Sequence, residues 1–294
     1  MDNAASSLPL QHFSQHVVDL VRTAGRSIVG VHSQRSRGSG FVWRPGLVVT
    51  ADETITDEDR IVVVLPGGET VLATLKGRDA STDIALLRIE QSELPPAPPS
   101  SAGVETGSLA IVVGANEGAP VAALGLVSHA GPAWRSVRGG NIDARIEMDM
   151  VLRASAEGGL AFDPAGRAIG MAVFGPRRRV LVIPAATIDR VAAKLDADGR
   201  IARGYLGLGL QAVRIEGDGV GAMVMSVDSS GPAALAGLRQ GDVIATWNGS
   251  AIDGVNAILR ELGPESVGTA ARVSVSRGGA PVEFDVTIAA RPER

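Results

Sequence analysis

The sequence predicts a mainly β protein in which short strands close into antiparallel barrels ahead of a smaller, glycine-rich C-terminal domain. Three observations predict it. Six short β-rich runs recur between Ser27 and Ile89, each bounded by turn residues, which is the pattern of a closed antiparallel barrel. The proline-rich stretch Pro95-Pro96-Ala97-Pro98-Pro99-Ser100 then interrupts the chain as a stiff connector, with further β-rich runs beyond it. Finally, Ala185 to Ala197 carries apolar residues at helical spacing and separates these runs from the chain that starts at Gly204.

Composition narrows the function classes. At 294 residues, with 45% hydrophobic and 3% aromatic residues, the chain has room for about two domains on size alone and is ordinary globular material. A net charge of −4 with mixed signs gives no reason to expect nucleic acid or an anionic membrane as partner. Zero cysteines exclude disulfides, thiolate metal sites and a cysteine nucleophile. The stretch from Met1 to Pro9 has neither a basic leader nor an apolar run, so the expected location is cytoplasmic, or periplasmic if an export segment was trimmed.

In chain order, Leu10 to Thr23 places Phe13, Val17, Leu20 and Val21 on one face of a docking helix, with Pro9 suited to its first turn. His12 and His16 lie one turn apart and read as solvated residues rather than metal ligands, and His32 and His129 as barrel-strand residues. The first barrel is expected from Ser27–His32, Gly40–Trp43, Leu47–Ala51, Arg60–Leu65, Val71–Lys76 and Ile84–Ile89. Beyond the connector, β-rich runs continue through Ser108–Gly114, Ala119–Ala130, Ile142–Met150, Gly159–Phe162, Ala168–Phe174 and Val180–Ile183. Arg177-Arg178-Arg179, between the last two, reads as a solvated hairpin tip, with an acidic partner as the less favoured reading. Pro184 opens the helix that ends before Gly199.

Particular residues then carry a resemblance. Gly38-Ser39-Gly40-Phe41, the strand Leu47-Val48-Val49-Thr50, the segment Asp79-Ala80-Ser81-Thr82-Asp83-Ile84-Ala85-Leu86-Leu87 and the loop Ala154-Ser155-Ala156-Glu157-Gly158-Gly159-Leu160 resemble the HtrA (DegP-like) branch of the chymotrypsin-fold serine proteases. The resemblance implies two six-stranded barrels, and it places Glu53 at the position of the catalytic histidine, Asp83 at that of the aspartate and Glu157 at that of the nucleophilic serine. Ser155 replaces a glycine of the oxyanion-hole loop, which Ala156 and Gly158 complete, and Leu160 replaces a proline, so the hole is not expected to form. A carboxylate cannot form an acyl enzyme with a peptide, so the expectation is a pseudoprotease that is not an enzyme. Two readings of the carboxylates stay open: relaxed residues of a released cleft, with Asp83 hydrogen-bonding nearby amides, or an acidic cluster serving acid/base chemistry or a cation.

From Gly204 the chain resembles a PDZ domain of the same family, on Ser229-Ser230-Gly231-Pro232-Ala233-Ala234-Leu235-Ala236-Gly237-Leu238-Arg239-Gln240-Gly241-Asp242-Val243-Ile244 and Trp247-Asn248-Gly249. A Gly-rich turn before a strand can hold a terminal carboxylate on consecutive amides, and the strand edge can add a peptide. Tyr205-Leu206-Gly207-Leu208 is placed as that loop, with a slip to Gly207–Leu210 left open. The groove helix is expected over Asp253 to Leu262 with Asp253 as its cap, contributing Ile258 and Leu262 to the peptide site.

The expected organisation is an N-terminal helical segment over 1–26, barrels over 27–95 and 96–184, a linker helix over 185–203 and a PDZ domain over 204–294. The expected role is a peptide-binding adaptor, scaffold or chaperone that takes protein C-termini with an apolar last residue, without cofactor or metal. The alternative is an enzyme or cation-binding protein built on Glu53, Asp83 and Glu157. The family resemblance implies a homo-oligomer, a trimer built through the segment around Phe13.

Overall fold

A computed structural model of the protein describes residues 8–90, 93–98, 103–215 and 219–292; Pro99 and Ser100 of the connector lie outside them. The chain divides into two compact units, residues 1–134 with 142–200 and residues 135–141 with 201–294.

The first unit opens on α1 (Leu8–Ala24), which buries Leu20 and Ala24 and packs against the second barrel. The first barrel follows: β1 (Ile28–Ser33), β2 (Ser36–Arg44), β3 (Leu47–Thr50), β4 (Ile61–Val64), β5 (Thr70–Asp79) and β6 (Ile84–Arg88). It closes in the order β1-β2-β3-β6-β5-β4, with β4 returning to β1, so no strand edge is left open. β-branched residues fill it, Val29, Val31, Val42, Val48, Ile61 and Val63 among them, because such side chains pack well on a pleated surface.

The second barrel is built from β7 (Leu109–Asn116), β8 (Ala119–Gly131), β11 (Arg145–Asp149), β12 (Leu160–Phe162), β13 (Ala168–Phe174) and β14 (Val180–Pro184), closed as β11-β14-β13-β12-β7-β8. Between β8 and β11 lie the short paired strands β9 (Trp134–Arg135) and β10 (Asn141–Ile142). α2 (Ala185–Asp198) buries Thr187, Ile188, Val191, Ala192 and Leu195 against strands of both barrels and ends on Gly199 in the left-handed region, whose N–H donates to Leu195 O. Mainly β architecture with two closed six-stranded barrels is therefore as the sequence predicts.

The second unit holds β15 (Gly204–Tyr205), β16 (Leu208–Ile215), β17 (Gly219–Val227), α3 (Pro232–Ala236), β18 (Val243–Trp247), β19 (Ser250–Ala251), α4 (Val255–Glu261), β20 (Ala270–Arg277), β21 (Ala280–Thr287) and β22 (Ala289–Ala290). Its main sheet runs β16-β17-β18-β20-β21, so β16 is an edge strand. Two expectations change here. α4 is shorter than Asp253 to Leu262, and its N-cap is Gly254 without a side-chain cap, because Asp253 is held by the Arg260 guanidinium at 3.1 Å instead. Residues Arg135 to Asn141 also pack into this unit: Arg135 pairs with Glu261 and Glu265, and Asn141 Nδ2 donates to Glu265 at 3.1 Å.

Within the first unit, Ser39 joins the barrels. It is fully buried; its hydroxyl donates to Ser155 O at 2.6 Å and accepts from Ala115 N–H at 2.8 Å, while its own N–H donates to Glu157 O at 2.6 Å. Ser39→Ala would leave a part-buried carbonyl and a buried N–H without this partner. We expect it to lower stability by about 2–4 kcal/mol, read by urea unfolding, against near-neutrality for an exposed Ser→Ala such as Ser229→Ala.

Candidate functional site

Glu53, Asp83 and Glu157 lie near enough for the charges of Glu53 and Glu157 to act on Asp83 and for Glu53 to act on Glu157. Glu53 lies in a single 3-10 turn, Asp52–Thr54, immediately after β3. Asp83 stands in the turn between β5 and β6 at φ +58, a left-handed conformation that Asn and Asp adopt more readily than most residues. The turn itself is tied by Asp79, whose carboxylate accepts from Ser81 N–H and from the hydroxyls of Ser81 and Thr82. Asp83 is left to reach across the gap, and its Oδ1 accepts the Glu53 N–H at 3.0 Å. Glu157 follows a 3-10 turn, Ala154–Ala156, and its Oε1 accepts the Phe174 N–H at the end of β13 at 3.2 Å.

Electrostatics follow from this crowding. Burial pushes the Asp83 carboxyl up to about 7, and the charges of Glu53, Glu157 and Asp52 push the same way against the opposing hydrogen bond from Glu53 N–H. Although the residue keeps some surface, its carboxyl group is enclosed. Glu157 is also raised, first by burial and then by Glu53, with the Phe174 N–H and Arg178 pulling it down. The Arg78 guanidinium bonds Asp52 directly and also reaches Glu58. Among the described residues no group of three His, Cys, Asp or Glu side chains has the arrangement of a metal site. Burial and like charge favour the protonated form of Asp83.

The oxyanion loop has a definite arrangement. Ala156 N–H donates to Arg153 O, Glu157 N–H to Ala154 O at 3.2 Å, Gly158 N–H to Ala172 O and Gly159 N–H to Ala156 O. Those four amides are engaged within the protein. Sequence reasoning missed Phe174 and Arg178, which contact or polarise Glu157 from the β13–β14 side; their link to it is long-range and leaves no local pattern.

The second candidate site lies at the start of β16. Gly207 adopts φ +78, and the carbonyls of Leu206 and Gly207 accept from Ala233 N–H and Asp228 N–H at 2.9 and 2.8 Å. The amides of Leu206 and Gly207 have no backbone carbonyl partner among the described residues. Tyr205 Oη donates to Asp228 Oδ2 at 2.9 Å, bracing the loop from outside. Leu208 opens the edge strand, and Ile258 and Leu262 sit in the domain core behind it with Leu206. The histidines take no part: His16 contacts Pro164 O through Nε2 at 2.6 Å, and burial, followed by Arg37, lowers His32.

The raised Asp83 carboxyl has a signed consequence. Between 3.8 and about 7 the folded state holds a proton that the unfolded chain has lost, so this stabilisation is complete below about pH 4 and disappears as pH rises through about 7. Asp83→Asn keeps the acceptor for Glu53 N–H and tolerates the left-handed φ. From about pH 5 to about pH 9 the unaltered protein should lose about 3 kcal/mol relative to this variant, measured by denaturant unfolding at each pH.

Comparison with known proteins places both sites in a family. A trypsin-like peptidase domain model matches residues 38–171 and a PDZ domain model matches residues 204–288. Proteins named probable periplasmic serine endoprotease DegP-like from Brucella suis biovar 1 and Bartonella henselae are 32% identical over 275 residues and 30% over 311, covering 87% and 99% of this chain. The chain spans about half the length of these relatives, 53% and 61% of them. A serine endoprotease from Yersinia pestis matches with TM-score 0.69 and 26% identity over 95% of this chain and 98% of that one. HtrA-type protease AlgW with tripeptide matches with TM-score 0.65 and 25% identity over 94% and 98%. Two expectations are corrected by these relatives. The inference that the chain is not an enzyme is overturned by their naming as serine endoproteases: it rested on two side chains, whereas the likeness runs through nearly the whole chain. The inference of a cytoplasmic location is overturned by the name periplasmic, since a short N-terminal stretch carries no information on compartment comparable to that likeness. With its trypsin-like peptidase domain and its PDZ domain in this order, the chain belongs to the HtrA-like family.

Proposed function

We propose that this protein captures the C-terminal ends of polypeptides in its PDZ domain, on the loop Tyr205–Leu208, and so acts as a peptide-binding adaptor, scaffold or chaperone. The observation that carries the reading is the pairing of the Leu206 and Gly207 amides, without backbone carbonyl partners among the described residues, with an edge strand that begins one residue later. Amides in that arrangement accept a terminal carboxylate, and the edge of β16 accepts the preceding residues as an added strand. Leu206, Leu208, Ile258 and Leu262 supply an apolar floor suited to an apolar last residue. AlgW, solved with a tripeptide, and relatives named as periplasmic endoproteases support a polypeptide ligand and a periplasmic setting. A homo-oligomer, a trimer through the segment around Phe13, belongs to the same proposal.

A peptide with a free apolar C-terminus should bind, and the same peptide amidated should lose about 1.5–3 kcal/mol, the scale of hydrogen bonds to a charged group. Gly207→Val should abolish binding, since a Cβ there would crowd Asp228 and Gly231 at 3.1 Å from a φ of +78. Calorimetry with acid and amide peptides decides it; equal affinity for the two would refute terminal recognition.

One observation favours a second reading, acid/base hydrolysis in the barrel cleft: Asp83 is pushed up to about 7, so it can hold or give up a proton near neutrality. Cleavage of unfolded casein that follows an apparent pKa near 7 and is lost in Asp83→Asn would support it. Cleavage that survives this substitution with an unchanged pH profile would remove it.

A further inference from the structure

We propose that the arginine tip between β13 and β14 is a binding surface for acidic polypeptide, set at the rim of the barrel cleft. The shape of the tip is fixed. Pro176 constrains one side, Gly175 N–H donates to Arg179 O at 2.8 Å, and Arg177 and Arg178 both adopt φ +57. Two consecutive non-glycine residues in the left-handed region are costly and persist only where surrounding structure holds them. Arg177, Arg178 and Arg179 are all exposed.

The charges on the tip are unevenly used. Arg179 pairs with Glu147 at 3.3 Å, and Arg145 pairs with the same carboxylate at 2.6 Å, so the local acid is already shared by two guanidinium groups. Arg177 and Arg178 have no acidic hydrogen-bond partner among the described residues. The Arg178 guanidinium lies over the Phe174 ring, 4.2 Å from its centroid, which orients it without neutralising it. Phe174 is also the residue whose N–H holds the Glu157 carboxylate. One carboxylate of the protein thus already sits beside this arginine, and a chain leaving the cleft would carry its own acidic side chains onto Arg177 and Arg178.

Polypeptide is the occupant that fits. The surface offers two exposed guanidinium groups without an acidic hydrogen-bond partner among the described residues, rather than the long basic stripe that tracks a nucleic acid backbone. That the occupant is a polypeptide rests on the peptide-capture reading above, but the arginine tip and the Tyr205–Leu208 loop are tested separately by blocking both ends of the probe.

The experiment uses the full chain and fluorescence anisotropy with a labelled Glu-rich peptide, acetylated and amidated so that terminal-carboxylate recognition is not engaged. The Glu peptide should bind at least about fivefold more tightly than its Gln counterpart, and the preference should weaken from about 50 to about 300 mM salt. The double variant Arg177→Gln, Arg178→Gln should erase the preference. Equal binding of the Glu and Gln peptides, persistence of the preference in the double variant, or tighter binding of single-stranded DNA or anionic vesicles would each overturn the proposal. The Glu-against-Gln comparison on the unaltered protein decides even if the variant does not fold.

Discussion

The hydrogen bonds of Ser39 hold the cleft together. A hydroxyl can donate one bond and accept others, and this one donates to the loop that carries Glu157 while accepting from β7, so a single buried side chain fixes both barrels to one seam. Backbone must come very close for that to happen, which explains the flanking glycines. A Cβ at Gly38 would lie 2.7 Å from Thr54 Oγ1, and one at Gly158 would lie 2.1 Å from Ser39 O at a φ of +84. With the seam so tight, the carboxyl groups of Asp83 and Glu157 are poorly solvated, while Glu53 stands exposed beside them. The raised affinity of Asp83 and Glu157 for protons follows from the packing and needs no special device.

The second unit works by the opposite principle. Closed barrels abolish strand edges, whereas the PDZ sheet ends on β16, with no strand paired to its outer side among the described residues. An exposed edge is a liability unless something specific pairs with it, and the positive-φ turn at Gly207 puts amides at the head of that edge. The Tyr205–Asp228 hydrogen bond and the Ser230 contacts to Asp228 stiffen the loop, which reduces the ordering cost of receiving a ligand.

Much of this was legible in the sequence because it is local. Alternating and continuous apolar runs between glycine and proline turns place the barrel strands, and Pro184 with Gly199 frames α2. The Gly-Ser-Gly-Phe strand and the Ser-Ser-Gly-Pro to Asn-Gly run carry the family. What was not legible depends on partners distant in the chain. Asp253 looks like a helix cap until Arg260 captures it, and Arg135 meets Glu265 across 130 positions. The engagement of Glu157 by Phe174 N–H is likewise set by how β12 and β13 lie, which no spacing announces. Two expectations failed for another reason: absence of an enzyme and a cytoplasmic setting were inferred from a few side chains and a short terminus, against a likeness running through nearly the whole chain.

The central claim is that the edge of β16 and the turn at Gly207 together receive a polypeptide end. A crystal structure of the chain with a peptide ending in a free apolar residue tests it most directly. The peptide should lie along β16 as an added strand, with its terminal carboxylate within hydrogen-bond reach of the Leu206 and Gly207 amides and its last side chain over Ile258 and Leu262. A peptide bound elsewhere, with the β16 edge bare, would contradict the account.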